Sequence, residues 1–187
     1  MARGRILHAI TFTDDVTTTG SATQLYPLGT RREEETSLSV GGETYRYVLG
    51  DTGSHTVAAA AGALCYRGKT IGLPWKACTD IQDCASGLAF GVFQSVLVTA
   101  QYGWVKTKGY QSNLKKQSGT GLSWAKGNYL FSDPSTTASG KGKVIKIAAT
   151  TKVSGAEIRA ILQRNIGFAA STHSTTNTTG KAYIELE

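Results

Sequence analysis

Three cysteines, three histidines, a run of glutamates and a segment that ends like a phosphate-binding loop are the parts of this chain whose residue types suit chemistry. The segment Ala63-Leu64-Cys65-Tyr66-Arg67-Gly68-Lys69-Thr70 has the Gly-Lys-Thr ending of a phosphate loop. However, Ala63 stands where the first glycine is required, and Gly62 lies one residue too early. Such a loop must also open a helix whose N-terminal amides face the anion, and Ile71-Gly72-Leu73-Pro74 opposes a helix there. Cys78 and Cys84 form no CxxC pair and have no histidine beside them, so a zinc site would have to recruit Cys65 or a distant aspartate. His8, His55 and His173 lie far apart and match no nucleophile or metal signature. Glu33, Glu34 and Glu35 follow Arg31 and Arg32, a pattern of solvated ion pairs rather than of an acid–base couple. The expectation is a chain without catalytic residues, cofactor or metal ligands, and hence not an enzyme.

A stronger constellation interleaves Tyr102, Trp104, Tyr110, Trp124 and Tyr129 with Lys106, Lys108, Lys115, Lys116 and Lys126. Basic strands that carry aromatics can stack bases and neutralise phosphates, so a basic β-barrel binding single-stranded nucleic acid is the alternative reading. The plainer reading is half-buried sheet aromatics with the lysines on the solvent face. It is preferred because the lysines lack arginine company and a recognised binding motif, which disfavours nucleic acid as the partner.

These residues need elements to hold them, and the composition says which kind. The chain has 187 residues, room for one domain, and 40% of them are hydrophobic, enough for a core. Charged residues are 18%, below the usual share, and Ser and Thr supply about one residue in five instead. Twenty-two Gly against three Pro, with abundant Thr, Val and Tyr, favour short strands and tight turns over helices. The net charge of +7 suggests an acidic partner. No apolar run is long enough for a membrane span, and the first residues lack a signal-peptide core, so synthesis in the cytoplasm and no membrane association are expected. Three cysteines are too few and odd in number for a disulfide framework and read as reduced thiols.

Along the chain, residues 1–25 read as an extended N-terminal arm and residues 26–187 as a single β-rich domain. The arm combines Arg3 and Arg5, the apolar Ile6, Leu7 and Ile10, and a Thr-rich tract with little to bury. Gly41-Gly42 should turn Thr36–Val40 back on Glu43–Val48 as a hairpin, placing Tyr45 and Tyr47 on one strand face. Residues 88–110 read as two strands split near Thr99-Ala100-Gln101, with Trp104, Lys106 and Lys108 alternating against Val105 and Thr107. Further strands are expected at Tyr129–Phe131, Gly142–Ala148 and Ala182–Leu186. One short helix, about 154–165, is signalled by a Ser154/Glu157 capping box and stopped by Gly167. The fold class expected is mainly β, a compact barrel- or sandwich-like domain with that one helix and the arm.

The order of blocks resembles a known family. Leu28-Gly29-Thr30-Arg31-Arg32, Glu43-Thr44-Tyr45-Arg46-Tyr47-Val48, an Ala/Gly stretch and Gly91-Val92 come first. They are followed by the Tyr102–Tyr110 block, Ile166-Gly167-Phe168-Ala169 and Ala182-Tyr183-Ile184-Glu185-Leu186. Together they resemble small structural proteins of tailed-bacteriophage heads, in particular capsid decoration, or cement, proteins, over roughly residues 26–187. The Cys78–Cys84 segment and the Thr/Ser-rich residues 132–140 do not belong to that pattern. The resemblance implies a virion protein on the outer capsid surface, made in the host cytoplasm. It implies binding to the major capsid protein, as homotrimers at threefold and quasi-threefold sites, without catalysis or cofactor. It also implies that Tyr102, Trp104 and Tyr110 are barrel core. In such a role the arm would lie along a capsid subunit, with Ile6, Leu7 and Ile10 as apolar anchors and Arg3 and Arg5 meeting acidic groups.

Overall fold

A computed structural model of the chain describes residues 12–35, 42–51, 60–68, 75–80, 84–116, 123–132, 142–146, 165–174 and 176–186. Ten strands run through them: β1 (Arg31–Glu34), β2 (Glu43–Gly50), β3 (Leu64–Gly68), β4 (Lys76–Cys78), β5 (Cys84–Phe93), β6 (Tyr102–Lys115), β7 (Tyr129–Ser132), β8 (Val144–Lys146), β9 (Asn165–Ala169) and β10 (Thr179–Glu185). The fold is mainly β, as the Thr-, Val- and Tyr-rich composition requires, and no helix occurs among the described residues. The expected helix over 154–164 lies outside them. Its expected last residue, Asn165, opens β9 instead, and Ile166 buries its side chain from that strand.

All ten strands join one sheet in the order β1-β2-β4-β3-β5-β6-β10-β9-β7-β8, and β2 pairs with β6 in addition. That extra pairing closes a five-stranded circuit, β2-β4-β3-β5-β6, which removes free edges from that part of the sheet. Each of its strands turns a small or apolar side chain into one cluster, from Val48, Ala77, Cys65, Phe90, Phe93 and Val105. A second circuit runs β6-β10-β9-β7-β8 and returns to β6 through a bridge between Lys116 and Val144. Its inward residues, among them Leu114, Leu130, Ile166 and Ile184, pack against Leu64, Tyr66 and Val92 from the other face of β3 and β5.

Strand β6 therefore belongs to both halves: its first half pairs with β2 and β5, its second with β10. The handover falls at Lys108, which faces Thr44 on one side and Glu185 on the other. Gly109 follows with φ 113°, and a Cβ there would lie 2.9 Å from Glu43 Cγ, so only glycine lets the strand change partners at this point.

The hairpin expected around Gly41-Gly42 pairs β2 with β1 at Arg31–Glu34, while residues 36–41 lie outside the described residues. Tyr45 and Tyr47 do share a face, and both are buried. The two strands expected in residues 88–110 are β5 and β6, and the chain reverses between them through Val98–Gln101, with Ala100 at φ 64°. The arm differs from its expected extent. Residues 12–25 lie against the domain because Phe12 and Val16 have an apolar place to go, beside Tyr26, Tyr47 and Trp104 on the outer face of β2 and β6. Ser21 pairs with Tyr102 through both backbone hydrogen bonds, at 3.0 and 2.7 Å. Arg3, Arg5, Ile6, Leu7 and Ile10 lie outside the described residues.

Candidate functional site

The Tyr102–Tyr110 block divides into three environments. Trp104 is 2% exposed, and its Nε1 donates to Asp14 Oδ2 at 2.8 Å. Tyr102 is half-buried and stacks on Tyr47, with ring centroids 6.1 Å apart. Tyr110 is half-buried on the outer face of the second circuit, 5.5 Å from Tyr183. Around Trp104 the Asp14 carboxylate forms a hub: it accepts from the Tyr26 hydroxyl at 2.7 Å as well as from the indole. Arg32 closes the hub, donating to the Asp14 carbonyl at 2.7 Å and stacking its guanidinium 5.0 Å from the Phe12 ring. A charge-assisted, multiply satisfied hub of this kind is a strong tie between the strap of residues 12–28 and the sheet.

Two of the five lysines depart from the expected solvent-facing basic row. Lys106 is only 6% exposed, pairs with Glu43 Oε2 at 2.9 Å and donates to the Tyr110 carbonyl at 2.7 Å. Burial lowers its pKa, and Glu43 offsets that only in part. Tyr45 donates to the same carboxylate oxygen, and burial, with that hydrogen bond to Glu43, raises its phenol pKa. Lys116 is 1% exposed, beneath Trp124, and donates to the carbonyls of Ser174 and Asn177 at 2.9 and 3.2 Å. Both ammonium groups turn inward because the sheet offers them acceptors there, so these two are structural ties, while Lys115 is half-buried and Lys126 exposed. Lys108 stays half-exposed beside Glu185, 3.7 Å away.

His173 is the one histidine within the described residues. Its Nε2 lies 2.7 Å from Ser171 Oγ, the spacing of a nucleophile and its base, but the same nitrogen accepts the Lys181 N–H at 2.9 Å. A neutral imidazole has one lone pair at that nitrogen, so it is engaged by the backbone and cannot serve as a free base for the serine. Burial, with the charges of Lys116 and Lys181, lowers the pKa of His173 and keeps it neutral. Cys65 and Cys78 are buried. Burial raises the Cys65 pKa well above its ordinary value, the opposite of an activated nucleophile. Of the stretch that ends like a phosphate loop, Leu64–Gly68 form β3, with Cys65 packed inside the first circuit, and Lys69 and Thr70 lie outside the described residues.

One feature of the surface was not legible as a unit in the sequence. Tyr110 on β6 lies opposite Tyr183 on β10, Tyr183 opposite Phe168 on β9, and Phe168 opposite Tyr129 on β7. Four rings from four strands thus form a row straight across the outer face of the second circuit. Phe168 is 45% and Tyr129 66% exposed. Beside the row opens a groove of about 180 Å³ lined by Gly42, Lys108, Gly109, Gly167, Phe168, Tyr183, Ile184 and Glu185. Gly167 has φ 133°, and a Cβ there would run into the Tyr183 carbonyl, so the groove floor depends on its absence. The members of the row are scattered along the chain from Tyr110 to Tyr183, and only the strand register brings them together.

Comparison with protein-family models, with curated proteins and with solved structures finds no match for this chain.

Proposed function

We propose that the chain is a structural virion protein that binds the outer surface of a tailed-phage icosahedral capsid and stabilises it, acting as a decoration protein on the major capsid protein. The observation that carries this reading is the Asp14 hub. It fixes Phe12, the residue that follows the first eleven in sequence, to Trp104 and Arg32 on the outer face of the sheet. Those first eleven residues hold Arg3, Arg5, Ile6, Leu7 and Ile10, the side chains suited to an acidic and apolar groove on a neighbouring subunit. The block order along residues 26–187 supports the same reading, and so does the inward use of Lys106 and Lys116, which takes two cations out of the row that a nucleic-acid binder would use. A protein that binds the assembled shell and not its separated subunits shifts assembly by mass action, so many modest contacts suffice. Trimers at threefold and quasi-threefold positions belong to this proposal.

Co-sedimentation with expanded tailed-phage capsids tests it. The full chain should co-sediment at micromolar concentration, and failure to do so rejects the proposal. A truncation must stop at residue 11, because removing residues 12–25 would take Phe12, Asp14 and Val16 out of the packed face. The chain lacking residues 1–11 should stay folded and bind capsids weakly; unchanged binding would remove the arm from the interface.

A further inference from the structure

We propose that the aromatic row Tyr129–Phe168–Tyr183–Tyr110 is a carbohydrate-binding platform that takes an extended chain of neutral pyranose rings laid across the strands. The row is made of rings alone, from four strands in direct register. Soluble proteins seldom leave contiguous large apolar side chains in water unless they bind something there. The ring centroids are 5.5 Å apart for Tyr110 and Tyr183 and 5.2 Å for Tyr183 and Phe168, a repeat imposed by the spacing of about 4.8 Å between neighbouring strands. That repeat is close to the advance per sugar in an extended pyranose chain, so successive sugars can meet successive aromatic faces. The C–H-rich face of a pyranose suits an aromatic ring, while its hydroxyls need polar partners at the rim.

The rim supplies them. Lys108 Nζ and Glu185 Oε1 stand 3.7 Å apart at the mouth of the groove, one donor and one acceptor, and their side chains are 43% and 75% exposed. A pair of opposite signs so placed matches adjacent hydroxyls and neutralises itself against a polyanion. The three tyrosines present an apolar body with a polar tip, the combination that a sugar's two kinds of surface require. The planes of Tyr183 and Phe168 are inclined by 33°, within the range of the twist between neighbouring strands, so these two rings offer one continuous surface to a single twisted chain, while Tyr110 meets Tyr183 edge-on at 60° and closes that end of the row. Single-stranded nucleic acid would also stack, but it needs cations along its backbone; Lys106 is committed inside the protein and Lys108 is paired with Glu185, which leaves Lys181 as the exposed cation nearest Tyr183 on β10.

The test is affinity electrophoresis of the full chain in native gels cast with soluble neutral polysaccharides: hydroxyethylcellulose, arabinoxylan, mixed-linkage β-glucan, dextran and galactomannan. Labelled oligo(dT) is titrated in parallel at two salt concentrations. Retardation by at least one polysaccharide is expected, little changed by salt. It should weaken about tenfold or more in Phe168→Ala and Tyr129→Ala and stay unchanged in Leu25→Ala, an exposed apolar residue outside the row. No retardation by any of the five polymers overturns the proposal, and so does retardation that survives the Phe168→Ala/Tyr129→Ala double variant. Tight, salt-sensitive oligo(dT) binding lost in that double variant assigns the row to nucleic acid instead. A change of sedimentation coefficient in the double variant assigns it to a second copy of the chain. Capsid co-sedimentation of the double variant is expected to be normal, so the platform and the capsid role fail separately.

Discussion

Strand β6 carries aromatic side chains on its outer face at both ends, and the protein treats the two ends in opposite ways. Around Trp104, the rings of Tyr47, Tyr102, Tyr26 and Phe12 meet at centroid distances of 5.0–6.1 Å and are roofed by the chain's own strap. Their polar atoms are used: the indole N–H and the Tyr26 hydroxyl go to Asp14, and the Tyr47 hydroxyl accepts the Leu25 N–H at 3.2 Å. Around Tyr110, the rings of Tyr183, Phe168 and Tyr129 have no roof among the described residues. Aromatic residues on a strand thus serve two ends. Where a strap supplies hydrogen-bond partners they build the fold, and where no strap covers them among the described residues they form the platform proposed above.

The comparison breaks first at Trp104. If the roofed cluster is core, Trp104→Ala should cost about 3–5 kcal/mol of unfolding free energy, from lost burial and the cavity left behind. Urea denaturation followed by circular dichroism measures it, and a loss no larger than that of an exposed substitution would place the cluster outside the cooperative core. Next in size is the buried pair that borders it. Glu43→Gln keeps the shape but leaves the Lys106 ammonium with the Tyr110 carbonyl and no counter-charge, at a cost of about 2–3 kcal/mol. The double variant Glu43→Gln/Lys106→Met should recover most of that, because it removes the uncompensated charge rather than the fold. A double variant as unstable as the single one would show that the ion pair itself, and not its stranded half, holds β2 to β6.

How much of this was legible in the chain follows from the same contrast. Strands such as β2, β6, β7 and β10 announce themselves by alternation and β-branched or aromatic residues, and the pairing of Tyr45 with Tyr47 on one face follows from a period of two. What sequence could not supply was the third dimension of the charges. Lys106 and Lys108 look alike in the run Val105-Lys106-Thr107-Lys108, yet one is buried against Glu43, 63 residues away in the chain, and the other faces water. The same holds for residues 12–25: a Thr-rich tract reads as unattached until Asp14 finds Trp104, 90 residues on. Asn165 reads as the end of a helix stopped by Gly167 because the capping signal before it is local, whereas the pairing of Asn165–Ala169 with β10 and β7 is not. The aromatic row was invisible for the same reason, since its register joins four strands that the sequence separates.

A smaller effect sharpens the comparison from the side of the second circuit. His173 accepts the Lys181 N–H on the strand that carries Tyr183, and burial, with Lys116 and Lys181, holds its pKa below the ordinary 6.5. A lowered folded-state pKa means that the unfolded chain binds the proton more tightly. Stability from this contact is therefore full above 6.5 and is lost as pH falls through 6.5 towards the lower folded value. Between about pH 7.5 and 5.5 the wild type should lose stability relative to His173→Gln, which has no ring to titrate. Parallel denaturation midpoints for the two proteins would show that the anchor of β10 does not depend on a neutral imidazole.

The smallest expected change is the most discriminating. If the row around Phe168 is there for a ligand, its exposed rings contribute little to folding, and Phe168→Ala and Tyr129→Ala should each shift unfolding free energy by no more than about 0.5 kcal/mol. Their side chains are 45% and 66% exposed, so truncation removes area that water already covers in part and opens no cavity. Phe168 still meets Tyr183 at 5.2 Å, which sets the upper end of that range, while Tyr129, the more exposed ring, should sit at the lower end. A loss of 2 kcal/mol or more at either position, in the sense of roughly a core substitution, would make the row a second roofless core and remove the contrast with Trp104. Near-wild-type midpoints at both positions, beside a collapsed Trp104→Ala, would establish that one strand serves the fold at its first half and the surface at its second.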